Sequence, residues 1–289
     1  MTFTKNTLIK LSLTTFAALM ISACGSSGSG SDNPQPQNNN AANNTQTNQA
    51  TNNKPNNNQT STPSSSDSTG GALVISGADH NVSVKKVDLK SQKDNLTRIN
   101  VDGKTLFIGF KNGGISSRGW TTLNSNSVSD NGERFDLNGV LEVCCGKYTD
   151  VRFGAIGSQE ASQNDIFFYN GNPSKTIPTS GIVAYRGDSI LSADSDKLPD
   201  DADYFTGTSN FRADFGAKKL TGSLDIKNVK VNIDANISGN GFSGTAKSDA
   251  FVAQGTAEGK FYGNNAKELG GLVKGNDNSW GAAFGAAKQ

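Results

Sequence analysis

Two adjacent cysteines, Cys144-Cys145, carry the most distinctive chemistry in this 289-residue chain. In an oxidising compartment they can close a vicinal disulfide, a small ring that rigidifies a turn. Such a ring can offer a rigid apolar knob to a ligand or simply lock the turn, and the pair can also persist as two buried thiols. Adjacent thiolates alone cannot supply tetrahedral zinc geometry, so no metal site is expected there. His80 is the single histidine, so a Ser-His-Asp triad or a histidine metal site would have to be built around it. It stands in Gly77-Ala-Asp-His-Asn81, at the start of the folded region, where plain solvent exposure is expected. Haem ligation could use His80 or one of Tyr148, Tyr169, Tyr185, Tyr204 and Tyr262, but neither a cofactor nor a catalytic constellation is expected, and an enzyme is not.

Two other patterns have bland explanations. Gly239-Asn-Gly-Phe-Ser-Gly244 spells a dinucleotide fingerprint, but strand-like residues lie on both sides where a helix should follow, so the glycines are expected to serve a hairpin. Asp194, Asp196, Asp200, Asp201 and Asp203 crowd one loop without the glycine and terminal glutamate of a calcium-binding EF-hand, which favours a solvated acidic loop. Trp, Tyr and Arg are the usual anchors of protein interfaces. On that ground Arg118, Trp120, Tyr148 and Arg152 are the expected partner-binding residues, with Arg134 in the same region. Trp120 and Phe153 serve equally well as core.

The N-terminus has the three parts of an export signal. Lys5 and Lys10 form a positive region, and Leu11–Met20 is an apolar run too short and threonine-rich to remain as a membrane helix. Ile21-Ser-Ala-Cys24 then resembles a lipobox, in which Cys24 is diacylated and becomes the new N-terminus. More than one acyl chain makes such anchoring stable. Gly25 in place of Asp favours the outer membrane, by resemblance to known lipoprotein sorting. Removing residues 1–23 takes away two lysines and lowers the formal charge from +1 to −1. That balance argues against a nucleic-acid partner.

Residues 25–71 are Ser, Gly, Asn, Gln, Thr and Pro with only Asp32, Lys54 and Asp67 charged, which cannot offset its ordering entropy by burial. Residues 24–71 are therefore expected to be a lipidated tether, spanning roughly 35–40 Å root-mean-square. From Ala72 the chain predicts short strands at Asn81–Leu89, Arg98–Val101, Thr105–Phe110, Gly139–Val143, Val151–Ala155 and Asp165–Tyr169. Asp102-Gly103 is a two-residue hairpin signal, and Asn112-Gly-Gly114 and Asn131-Gly132 mark further turns. Gly171–Pro178 breaks the pattern and sets a boundary between a region 72–175 and a region 176–289.

Beyond it come strands at Gly181–Gly187, Thr206–Asp214, Lys219–Ile226, Lys230–Ile237, Phe242–Lys247, Thr256–Tyr262, Lys267–Lys274 and Ser279–Gly285. Apolar and polar residues alternate strictly over Val229–Ala235, as a strand with one buried face requires. An all-β chain is expected, with an N-terminal β-rich domain and a C-terminal eight-stranded antiparallel barrel whose closure removes its edges.

The run Gly255-Thr-Ala-Glu-Gly-Lys-Phe-Tyr-Gly-Asn-Asn-Ala-Lys-Glu-Leu-Gly-Gly271, with Tyr185-Arg-Gly187 and Asn210–Phe215 upstream, resembles the final barrel of the transferrin-binding protein B superfamily. That superfamily also includes factor H-binding protein, haemoglobin–haptoglobin-binding lipoproteins and haemophilin-like haem binders. The layout is similar to the Slam-dependent surface lipoproteins of Pasteurellaceae, in which a β-rich handle meets the partner and the barrel serves export and support. Val143-Cys-Cys-Gly-Lys-Tyr-Thr-Asp-Val-Arg-Phe-Gly154 resembles a subgroup that includes a factor I-binding lipoprotein. The resemblance implies a monomeric, surface-exposed lipoprotein delivered by dedicated export machinery. It implies capture of a host serum protein, with a complement regulator (factor I or factor H) as the first expectation. Iron acquisition through haem, haemoglobin or transferrin is the alternative, and a structural envelope lipoprotein without a host partner is a third.

Overall fold

The computed structural model describes residues 68–77, 82–109, 119–124, 139–158, 163–193, 195–199 and 202–289. Cys24 and the tether through residue 67, His80, Arg118, Arg134, the turns at 112–114 and 131–132, and Asp194, Asp200 and Asp201 lie outside the described residues.

The described chain is all-β. The first half supplies β1 (Ser68–Ser76), β2 (Ser83–Lys90), β3 (Arg98–Val101), β4 (Lys104–Phe107), β5 (Thr121–Leu123), β6 (Gly139–Cys144), β7 (Val151–Ser158) and β8 (Asp165–Gly171). The second half supplies β9 (Ile182–Ala193), β10 (Phe205–Asp214), β11 (Lys219–Ile226), β12 (Val229–Ser238), β13 (Gly241–Lys247), β14 (Gly255–Tyr262), β15 (Glu268–Gly275) and β16 (Trp280–Lys288). β9 to β16 form a closed antiparallel barrel, with β16 returning to pair with β9 from Trp280↔Ala193 to Lys288↔Tyr185. In β12 every second residue is buried, as its alternation predicts. Leu224, Val231, Ile233, Phe242, Phe261 and Phe284 fill the barrel's own core. Gly239, with a φ of 56°, opens the two-residue turn between β12 and β13, so the fingerprint-like glycines belong to a hairpin.

The first half forms a six-stranded sheet in the order β2-β1-β8-β7-β6-β5, with β3 and β4 as a separate hairpin. Asp102 (φ 52°) and Gly103 (φ 84°) make the tight turn of that hairpin, the positive-φ pair that a two-residue connection favours. The centre of the sheet is covered on both faces. Val74, Leu141, Val143, Ile166 and Phe168 pack with Ile99, Leu106 and Ile108 of the hairpin and its flank. Leu73, Val151, Phe153 and Phe167 face the other way, onto Ile190, Leu272 and Ala283 of the barrel. Burial on both sides explains why β8 is a continuous apolar run, Asp-Ile-Phe-Phe-Tyr-Asn-Gly, and shows no alternation.

Order begins earlier than composition implies. Ser68 to Gly71, expected in the tether, belong to β1 and pair with both β2 and β8. Thr69 donates its hydroxyl to Asn170 Oδ1 at 2.7 Å, and its carbonyl accepts the buried Tyr262 hydroxyl at 2.9 Å. Small polar residues that look like linker are held here by partners 101 and 193 residues away, which no local pattern reveals.

The sheet docks on the barrel through side chains that enter hollows left by glycine. A β-carbon added at Gly285 would fall 2.1 Å from the Phe153 ring, and one at Gly270 would fall 2.8 Å from Val151. Gly285→Leu is therefore expected to cost about 2–3 kcal/mol by overpacking, read as a lower urea midpoint. Gly119→Ala, where a β-carbon meets nothing within 4 Å, is expected to leave that midpoint nearly unchanged.

Candidate functional site

Four of the residues singled out in the sequence converge on one corner, where the turn between β6 and β7 meets the barrel. Cys144 closes β6 opposite Phe153 and is joined to Cys145 in a vicinal disulfide. Both cysteines are fully buried in the sheet–barrel core, so they offer no knob to a ligand from the surface. Asp188 of β9 is the third member of the one group of potential metal ligands among the described residues. With the sulfurs bonded to each other, that group has no thiolate to donate.

Tyr148 and Arg152, expected at a partner surface, are instead buried. The Tyr148 ring packs against Phe153, and its hydroxyl donates to Asp188 Oδ2 at 2.6 Å. Burial first, and the Asp188 carboxylate second, push this phenol far above its ordinary pKa, so it stays a donor. Lys147 reaches the same Asp188 oxygen at 2.6 Å from a half-exposed position. Arg152 donates to the carbonyls of Tyr148 and Val151, and burial lowers its pKa while Glu268, Asp94 and Asp150 oppose that shift. The guanidinium thus holds the turn's backbone through Nη1, while its buried Nε has no hydrogen-bond partner among the described residues. Trp120 is half-buried, edge-on to Phe153 at 5.7 Å. Arg118 lies outside the described residues.

Glu268 is the residue whose role the sequence leaves open. It is 1% exposed at the start of β15, on the barrel's outer face. One carboxylate oxygen accepts from the Thr149 amide at 2.9 Å and from the Thr149 hydroxyl at 3.2 Å. The other accepts from the Asp150 amide at 2.9 Å. Lys267 beside it donates to the Thr149 hydroxyl at 2.6 Å. A buried carboxylate from the barrel therefore caps the turn of the sheet. The available signal was a lone acid followed by the apolar or small run Leu269–Val273.

The tyrosines give little room for haem ligation. Tyr148, Tyr169, Tyr185 and Tyr262 are all buried, and three of their hydroxyls are committed to Asp188, the Ala266 carbonyl and the Thr69 carbonyl. Tyr204 is half-buried against Phe167. Near it, Asp165 is 3% exposed on β8. Its Oδ1 accepts from the Ser158 amide at 2.6 Å, while Oδ2 has no hydrogen-bond partner. Burial pushes this carboxyl up to about 7.

The closed barrel beneath this corner carries the family relationship. Residues 177–288 match the family described as C-lobe and N-lobe beta barrels of Tf-binding protein B. The C-terminal barrel is of the transferrin-binding protein B type. An uncharacterized protein of Haemophilus influenzae is 50% identical, over 97% of this chain and 99% of its own length. Transferrin-binding protein B of the same organism is 30% identical, over 45% of this chain and 26% of its own. Among solved structures, transferrin-binding protein B of Haemophilus parasuis Hp5 covers 76% of this chain at 25% identity and a TM-score of 0.53. The match spans 45% of that protein, so the chain corresponds to less than half of it.

Two outcomes follow from the corner and from Asp165. Glu268→Ala removes the acceptor of the part-buried Thr149 and Asp150 amides and is expected to cost about 2 kcal/mol, measured by urea unfolding, with Glu268→Gln recovering part of the loss. Asp165 has its folded pKa raised from an unfolded value of about 3.9 to about 7, so the native state binds the extra proton. Its contribution is fully present below about pH 4, falls as pH rises toward 7 and is then level. Asp165→Asn is expected to remove that decline, seen in melting temperatures across pH 4–8.

Proposed function

We propose that this chain is a surface-exposed outer-membrane lipoprotein that captures a host iron-carrying protein, with transferrin as the first candidate. The observation that carries the proposal is the barrel match over residues 177–288 to a family named for transferrin binding. Transferrin-binding proteins B of Haemophilus influenzae and Neisseria meningitidis are among its relatives. The complement regulator, the first expectation from sequence, finds no support in these comparisons, and iron acquisition replaces it. Within iron acquisition, direct haem ligation is disfavoured by the committed tyrosine hydroxyls.

The mode of action is passive. Diacylated Cys24 fixes the chain to the membrane. The sheet and barrel meet the host protein as a preformed body, so little ordering cost is incurred on binding. The capture surface in this reading centres on the sheet half at Trp120 and the exposed Lys147, with Lys267 of the barrel on the other side of the capped turn.

The test is a serum pull-down on immobilised mature chain 24–289, followed by titration with purified proteins. Saturable binding of transferrin at micromolar affinity or better is expected, with no Soret shift when haem is added. Recovery of a complement regulator without transferrin, or a saturable Soret shift, would overturn the proposal.

A further inference from the structure

Where the sheet lifts off the barrel, the seam opens into a cleft of about 280 Å³ between β2 and the pair β13–β14. The opening follows from one strand. On the outer face of β14, Tyr262 and Lys260 are buried beneath the sheet, Glu258 is half-covered and Thr256 is exposed. The facing residues on β2 are Lys86 and Asp88, both exposed and two positions apart, so both point at the barrel.

The four charges in this cleft are unevenly paired. Lys86 and Glu258 form an ion pair that spans it. Lys260 is 7% exposed and Asp88 is exposed, and the structure shows no hydrogen bond or ion pair for either among the described residues. Burial lowers the Lys260 pKa, Asp88 and Glu258 raise it, and Lys86 lowers it further. An ammonium on a largely buried side chain has given up part of its hydration without gaining an ion pair, and the cleft is where it can find a counter-charge. Lys260 lines the cleft, which is roomy enough for a small polar molecule, and the hydroxyl of Ser243 lines it too.

Charge then decides the ligand class. A lone anion would meet Lys260 but also Asp88 and Glu258, while a lone cation would meet Asp88 but also Lys260. A molecule carrying both signs satisfies both unpaired groups at once. We propose that the cleft is a binding site for a small zwitterion of the amino-acid class, its carboxylate on Lys260 and its ammonium on Asp88. This site is separate from the capture surface proposed above and does not depend on it.

The experiment is isothermal titration of lipid-free chain 24–289 with glycine, glutamate and lysine, and with acetate and methylamine as half-ligands. At least one zwitterion is expected to bind saturably, and at least ten-fold more tightly than either half-ligand. Lys260→Met is expected to weaken that binding at least ten-fold while keeping or raising the melting temperature, since it removes an unpaired buried charge. Asp88→Asn, on the exposed side of the cleft, is the second variant and is expected to weaken it without affecting folding. No binding by any zwitterion, acetate binding as tightly as the amino acids, or unchanged affinity in both variants would overturn the proposal.

Discussion

The structure depends on one packing constraint: the barrel's outer face must be nearly bare where the sheet lies on it. Along β15 and β16 the outward Gly270, Gly281, Ala283 and Gly285 are small enough for Val151, Phe153 and Phe167 to press close to the backbone, with Leu272 packed beside them. Close packing at that seam lets the sheet bury both faces, which a six-stranded sheet standing alone would not do. It also brings the β6–β7 turn against β15, so that Glu268 can cap it, and leaves a cleft where contact ends at β14.

Legibility followed the number of buried faces. The barrel strands have one face in the core and one in water, so β11 and β12 were readable from alternation nearly to the residue. The central sheet strands β1, β7 and β8 have none in water, and β7 ran three residues further than its predicted end because Ile156 is covered on both sides. Ser68–Gly71 carried a linker composition and were invisible as strand until their distant partners were seen. The glycine fingerprint was readable because local geometry alone argued against a site.

The candidate surface was less legible for a physical reason. Trp, Tyr and Arg are rich in both interface anchors and buried polar clamps, and residue type does not distinguish them. Tyr148 and Arg152 became clamps because the barrel covers the turn that bears them, a fact of tertiary contact and not of spacing. Glu268 was named in the sequence without a role, since its partners lie 118 and 119 residues away. Functionally, the consequence is rigidity: a sheet clamped to a barrel can present a fixed surface.

The measurement that tests this account most directly is native-state hydrogen exchange on chain 24–289. If the seam makes sheet and barrel one cooperative unit, the amides of Thr149, Asp150 and β7 exchange with the same opening free energy as the central barrel strand β12. Exchange of the sheet amides at a clearly lower free energy, with β12 still protected, would show a sheet that opens on its own and would contradict the account.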